Sequence, residues 1–170
     1  MKALHIYTDG SHLNKQNKRL SRLGCGGVLV DPNGGGKFGR NLNEFSERLD
    51  PLYMKQYYGT DDCSNPTAEM MGVLIALDRF KDSLIDPSVD NIKIFADYEG
   101  VKYWMTEVWT AKKPYIRRIK DEINTTLREY GISEKVEFEW VKGHQSVMMV
   151  FNDMDAYWND YVDHLAKGEQ

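Results

Sequence analysis

Four acidic residues, Asp9, Glu69, Asp97 and Asp163, are of the kind that holds divalent cations, and each stands where an element could present it to a shared site. Asp9 closes an opening strand in Ile6-Tyr7-Thr8-Asp9-Gly10-Ser11. Glu69 falls in the first turns of an apolar-striped helix that opens at Asn65-Pro66-Thr67-Ala68, and Asp97 follows Ile92-Lys93-Ile94-Phe95-Ala96. Asp163 belongs to a last helix, in Asp163-His164-Leu165-Ala166. Carboxylates repel one another, so four gathered in one place imply bound cations. Hard cations such as magnesium want oxygen ligands, which explains acids rather than histidine or cysteine. Two such ions roughly 4 Å apart can activate a water and stabilise a leaving oxygen on either side of a phosphorus. That is the requirement of phosphodiester hydrolysis.

The elements that must position these acids are legible in part. Residues 2–9 alternate around Leu4, Ile6 and Thr8 and read as a strand. Gly10 to Leu23 is polar and basic and reads as a loop. Gly24-Cys25-Gly26-Gly27 before Val28-Leu29-Val30 marks a second strand with close backbone approach at its start. After the turn Asp31-Pro32-Asn33-Gly34-Gly35-Gly36 a third, weakly patterned strand is expected within 37–48, and residues 49–64 follow no period. Asn65 is the expected N-cap and Pro66 the first residue of a helix whose buried face is Met70, Val73, Leu74, Leu77 and Phe80, with Glu69 turned toward the protein body. A strand at 92–97 precedes a helix carrying Val101, Trp104, Met105 and Val108. Pro114 opens a further helix striped by Ile116, Ile119, Ile123, Leu127 and Tyr130 and stopped by Gly131. Residues 136–142 alternate as a fifth strand, and a loop from Gly143 to about Asp153 leads to the last helix, with Trp158, Tyr161, Val162 and Leu165 on one face. The expected fold is therefore α/β: a five-stranded mixed sheet, three antiparallel strands plus two parallel, flanked by helices.

Bulk properties narrow the classes. The 170 residues fit one domain, 1–170, and with 41% hydrophobic and 28% charged residues they read as an ordinary soluble globular protein. No apolar run reaches the length of a membrane span, and the opening residues turn polar too soon for a signal peptide. Cys25 and Cys63 read as free thiols, so a reducing cytoplasm is expected. The net charge of −4 argues against a protein that coats nucleic acid non-specifically, yet not against an enzyme whose acids are masked by metal. Two basic stretches stand out, Lys15, Lys18, Arg19 and Arg22 in the first loop, and Lys112, Lys113, Arg117, Arg118 and Lys120; solvated surface accounts for the first.

The motifs Tyr7-Thr8-Asp9-Gly10-Ser11, Asn65-Pro66-Thr67-Ala68-Glu69, Phe95-Ala96-Asp97, Trp140-Val141-Lys142-Gly143-His144 and Asn159 before Asp163, in this order, resemble type 1 ribonuclease H across almost the whole chain. The resemblance implies an endonuclease that cleaves the RNA strand of RNA–DNA hybrids, leaving 5′-phosphate and 3′-hydroxyl ends, with two magnesium ions for which manganese can substitute. It implies Asp9, Glu69, Asp97 and Asp163 as metal ligands and His144 as the mobile catalytic histidine. Gly10, Ser11, Asn65, Lys112, Lys113 and Asn159 follow as substrate contacts, and a free-standing monomer as the expected state. A DNA nuclease or resolvase of the same fold, or a catalytically silent nucleic-acid-binding module, are the alternatives.

Each residue also has a plainer reading. Asp9 could bind turn amides, Asp97 could cap the following helix, and His144 could be a surface histidine. Asp163 has Asp160 as its alternative, and His5, His12 and His164 read as structural or surface residues. Trp104, Trp109, Trp140 and Trp158 are expected in the core. Three departures from the family pattern are visible. The basic handle between Tyr98 and Pro114 is trimmed, Glu99 stands where an amide is usual, and the stretches 49–64 and 145–157 are long.

Overall fold

The computed structural model describes residues 2–168. Five strands, β1 (Lys2–Leu13), β2 (Arg22–Asp31), β3 (Arg40–Leu49), β4 (Val89–Ala96) and β5 (Val136–Trp140), form one sheet in the order β3-β2-β1-β4-β5. β1–β2 and β2–β3 pair antiparallel, β1–β4 and β4–β5 parallel, as the element order implies. The helices are α1 (Pro51–Tyr58), α2 (Asn65–Arg79), α3 (Lys81–Leu84), α4 (Glu99–Met105), α5 (Pro114–Glu129), α6 (Val147–Asn152) and α7 (Met154–Lys167).

Strand alternation divides the core between two faces. Leu4, Ile6 and Leu29 point into a large cluster with Met70, Val73, Leu77, Ile119 and Ile123 of α2 and α5. Their neighbours Tyr7, Val28 and Val30 point the other way, to Phe95 and to Trp158, Val162 and Leu165 of α7. Met70, Val73 and Leu77 are fully buried, and each such side chain contributes roughly 1.5–3 kcal/mol relative to exposure.

Glycines decide how close α7 comes. A Cβ on Gly24 would stand 2.1 Å from the Ala166 carbonyl oxygen, and one on Gly26 2.6 Å from the Ala166 nitrogen. Residues 24 and 26 share a face, so their missing side chains form the bed on which α7 lies. Cys25, between them, faces α2 and its thiol donates to the Ala68 carbonyl at 3.3 Å. The close approach expected at this point is thus a helix-packing surface.

Several boundaries differ from expectation. β1 runs to Leu13 and β2 begins at Arg22, so much of the expected loop is paired hairpin; of its side chains only Leu23 is buried, too little to leave a hydrophobic alternation. β3 is an edge strand on which only Phe45 is buried, which explains its weak pattern. The aperiodic stretch 49–64 contains α1, whose Asp50 side chain accepts from the Leu52 amide and whose chain turns off at Gly59, φ 65°. Ser64, not Asn65, is the N-cap residue of α2. α4 ends at Met105, and Val108 is exposed. The expected loop after β5 contains α6, capped by the Ser146 hydroxyl accepting from the Met149 amide. Of the four tryptophans only Trp158 is buried; Trp109 and Trp140 are exposed, the latter by 47%.

Candidate active site

Parallel pairing brings the first two acids together. Thr8 of β1 lies opposite Ala96 of β4, so Asp9, where β1 outruns its parallel partner, and Asp97, just past β4, stand side by side at the same end of that pairing. The third arrives by close packing: a Cβ on Gly10 would fall 2.2 Å from the Ala68 carbonyl carbon and 2.3 Å from the Glu69 nitrogen. Only glycine lets the first turn of α2 seat there, and Glu69 comes to rest beside Asp9. Asp9, Glu69 and Asp97 each offer a carboxylate oxygen, and these oxygens all lie within 4.8 Å of one another.

Two of the three are nearly sealed from water, Asp9 at 3% exposure and Glu69 at 2%. Burial pushes the Asp9 carboxyl up to about 8; a hydrogen bond with Glu69 opposes this, and the charges of Asp97 and Asp163 add to it. Burial likewise holds Glu69 well above the usual carboxylate range, with the Asp9 charge next in importance. The Asp9 Oδ1 accepts from the Gly10 amide at 2.9 Å, so the plainer turn-binding role is also filled. Glu69 Oε2 is buried with no hydrogen-bond partner. A buried, unpartnered carboxylate oxygen among other carboxylates is costly unless a cation meets it. This donor set of hard oxygens fits a divalent ion such as magnesium or manganese.

Asp163 stands on the rim of the same cleft as these three, outside the close trio of oxygens. Its Oδ2 is 3.0 Å from Lys167 Nζ, one turn further along α7. The alternative, Asp160, pairs with His164 at 3.6 Å and borders an adjoining crevice instead. His144 is exposed on the cleft wall with φ 52°, a left-handed conformation costing a non-glycine residue on the order of 1 kcal/mol.

The end of β5 and the turn after it close around Asp97. A Cβ on Gly143 would meet Asp97 Oδ2 at 2.9 Å, and the Trp140 indole nitrogen donates to the Asp97 carbonyl at 3.0 Å. These two roles, and that of Lys167, were not anticipated. Only Lys167 had a readable signal, its i,i+4 spacing from Asp163. Tyr98 stands where a side-chain cap was expected of Asp97, and no cap bond from Asp97 forms.

The other expected contacts are distributed unevenly. Gly10, Ser11 and Asn65 line the cleft, and the Asn65 Oδ1 accepts from the His12 amide at 2.9 Å. Lys112 and Lys113 line a neighbouring groove of about 280 Å³ with Tyr98 and Trp104. Lys113 is already 3.6 Å from Asp62. Arg117 turns back to the carbonyls of Ala111 and Lys112, and Arg118 lies over the Tyr58 ring and near Glu122. Asn159 is 5% exposed, its Oδ1 without a partner, behind the crevice bordered by Asp97, His144 and Asp163.

Comparison with known proteins adds to this geometry. Among solved structures the chain is similar to RNase H1 from the halophilic archaeon Halobacterium salinarum NRC-1, at 20% identity and TM-score 0.66, covering 96% of this chain and 94% of that one. It is similar to LC11-RNase H1 in complex with RNA/DNA hybrid, at 17% identity and TM-score 0.70, covering 98% and 95%. The RNase H domain of prototype foamy virus matches at 19% identity and TM-score 0.60, covering 97% and 92%. No curated protein matches. At these identities the structures speak for the fold, while the family model described as RNase H matches residues 1–170. With the whole chain matched and three acids converging at one end of the sheet, this chain belongs to the RNase H family.

Proposed function

We propose that this chain is a metal-dependent endonuclease that hydrolyses the RNA strand of RNA–DNA hybrids, leaving 5′-phosphate and 3′-hydroxyl ends. The observation that carries the reading is the buried trio Asp9, Glu69 and Asp97, with Glu69 Oε2 unpartnered, inside a chain of the RNase H family. The hybrid bound by the similar LC11-RNase H1 supports the substrate class.

Asp9, Glu69 and Asp97 would hold the metal, with Asp163 reaching in from α7. Two divalent cations held there would supply activation of the attacking water and stabilisation of the leaving oxygen. Magnesium is the proposed ion, with manganese a substitute. The chain's own residues set the rest. Gly143 and Trp140 fix Asp97 from the side chain and the backbone, so its oxygens present a constant face. Lys167 holds Asp163 poised at the rim. His144, exposed beside the acids, would pass a proton as product leaves. Beside Gly10, the Ser11 hydroxyl and the Asn65 side-chain NH2 would read a 2′-hydroxyl, the group that separates RNA from DNA. Lys112 and Lys113 would hold phosphates of the DNA strand. Asn159 would support the site from behind. Monomeric action in the cytoplasm, for example in primer removal during replication, belongs to the same proposal.

The test uses a duplex labelled in turn on each strand, with magnesium. RNA-strand cleavage in the hybrid is expected, with RNA–RNA and DNA–DNA duplexes left intact and Asp97→Asn reducing the rate at least about 10³-fold. Equal cutting of the DNA strand, or an Asp97→Asn rate near the parent's, would reject the reading.

A further inference from the structure

The β1–β2 hairpin does not stop at the catalytic end of the sheet. Past Asp9, four more residue pairs continue the ladder, Gly10 with Cys25 through Leu13 with Arg22. At about 3.4 Å per residue, the paired part projects roughly 14 Å beyond Asp9. Its tip is braced. The Asn14 side chain donates to the Leu20 carbonyl at 3.2 Å, the Asn17 and Leu20 amides close successive turns, and the His12 ring meets the Ser21 hydroxyl at 2.5 Å. Its base is fastened to the cleft rim, where the His12 amide donates to Asn65.

This projection carries Lys15, Lys18, Arg19 and Arg22, and no acidic residue occurs from Gly10 through Val30. None of the four makes an ion pair among the described residues. With them set aside, 18 basic residues face 26 acidic ones, a balance of −8 against a local +4. Like charges held together on a braced turn repel, and a protein that needed only solubility would gain nothing by segregating them. A polyanion beside the cleft removes that repulsion. The opposite flank is less available, because Lys113 is paired with Asp62 and Arg118 with Glu122.

We infer that the basic β1–β2 hairpin is a second nucleic-acid contact, gripping duplex phosphates about one groove width away from the bond being cut. It rests on the reading of the cleft as a hybrid-cleaving site, and it gives the hairpin the duplex-holding task for which the short segment between Tyr98 and Pro114 has little material. Positional reading would come from the cleft; the hairpin adds affinity that depends on salt and not on sequence.

The test compares the parent with K15Q/K18Q/R19Q/R22Q and with the charge-keeping K15R/K18R. Binding of a fluorescent hybrid is followed by anisotropy in calcium across a salt series, and cleavage is then measured in magnesium. The expected result is at least a tenfold weaker affinity for the quadruple variant and a salt dependence shallower by about 2–4 in log–log slope. KM should rise far more than kcat falls, and K15R/K18R should behave as the parent. Parent-like affinity and slope in the quadruple variant would overturn the inference, as would a loss of kcat with the slope unchanged. A parent that binds with the steep slope but never cuts would leave the hairpin standing and remove the hydrolytic reading instead.

Discussion

At the scale of single residues, the cost of the site is its most testable property. Asp9 is held neutral to about 8 in the metal-free protein, against an ordinary value near 3.8. Its folded value is raised, so the folded state binds that proton more tightly than the unfolded chain does. The stability that Asp9 contributes to the metal-free protein is therefore fully present below about pH 4, declines as pH rises toward 8, and is gone above it. The decline should amount to a few kcal/mol, on the order of what such a shift is worth. Urea denaturation in chelator across this window should show it, and Asp9→Asn should make the slope shallower, with the raised Glu69 carboxyl keeping part of it. An equal slope in parent and variant would contradict the burial argument. The acids themselves were readable because residue type, element end and order coincided. Gly143 and Trp140 were not, because nothing local says that a glycine must clear a carboxylate 46 positions away in sequence or an indole must reach a distant carbonyl.

At the scale of elements, the site depends on two helices seated on glycines. Gly26→Ala sets a methyl against the backbone of α7, 2.6 Å from the Ala166 nitrogen and 2.8 Å from the Val162 carbonyl oxygen. The helix must move, and the expected loss is about 1–3 kcal/mol, seen as a lower urea midpoint. Activity should fall by more than that loss of folded protein, since Asp163 travels with α7. An unchanged midpoint would mean that α7 rests on something other than this bed. Elements with a strong period, α2 and α5 above all, were legible from the chain alone. α1 was not, because only Met54 and Tyr58 are buried and no stripe forms. Its ends were nonetheless written in Asp50-Pro51 and Gly59, cap signals that periodicity does not weigh. α6 escaped for a related reason: Val147, Met148 and Phe151 are apolar yet exposed, so hydrophobicity there reports no core.

At the scale of the whole molecule, the trio and Asp163 come from β1, α2, the turn just past β4 and α7, spread over nearly the full length of the chain. A cation that binds them ties the fold together and lowers the folded state as a unit. Magnesium at a hundred times its dissociation constant should stabilise by about 2.7 kcal/mol. For a chain of this size that is a rise in Tm of roughly 5–10 °C, measurable by calorimetry at pH 8. No shift with either magnesium or manganese would count against these acids as ligands. Topology was legible from element order, but the reach of the β1–β2 hairpin was not, because backbone pairing continues where side chains no longer signal it.

The seating of α7 on Gly24 and Gly26 also bears on how the protein is made. During synthesis, three of the four acids and the whole sheet emerge before the helix that covers one side of it. Until then Tyr7, Val28, Val30 and Phe95 lack their α7 cover and expose apolar surface prone to aggregate. A ribosome-bound or prematurely stopped chain would thus be adhesive and would lack Asp163, so under the proposed function its assay should show no cleavage until the sheet is covered.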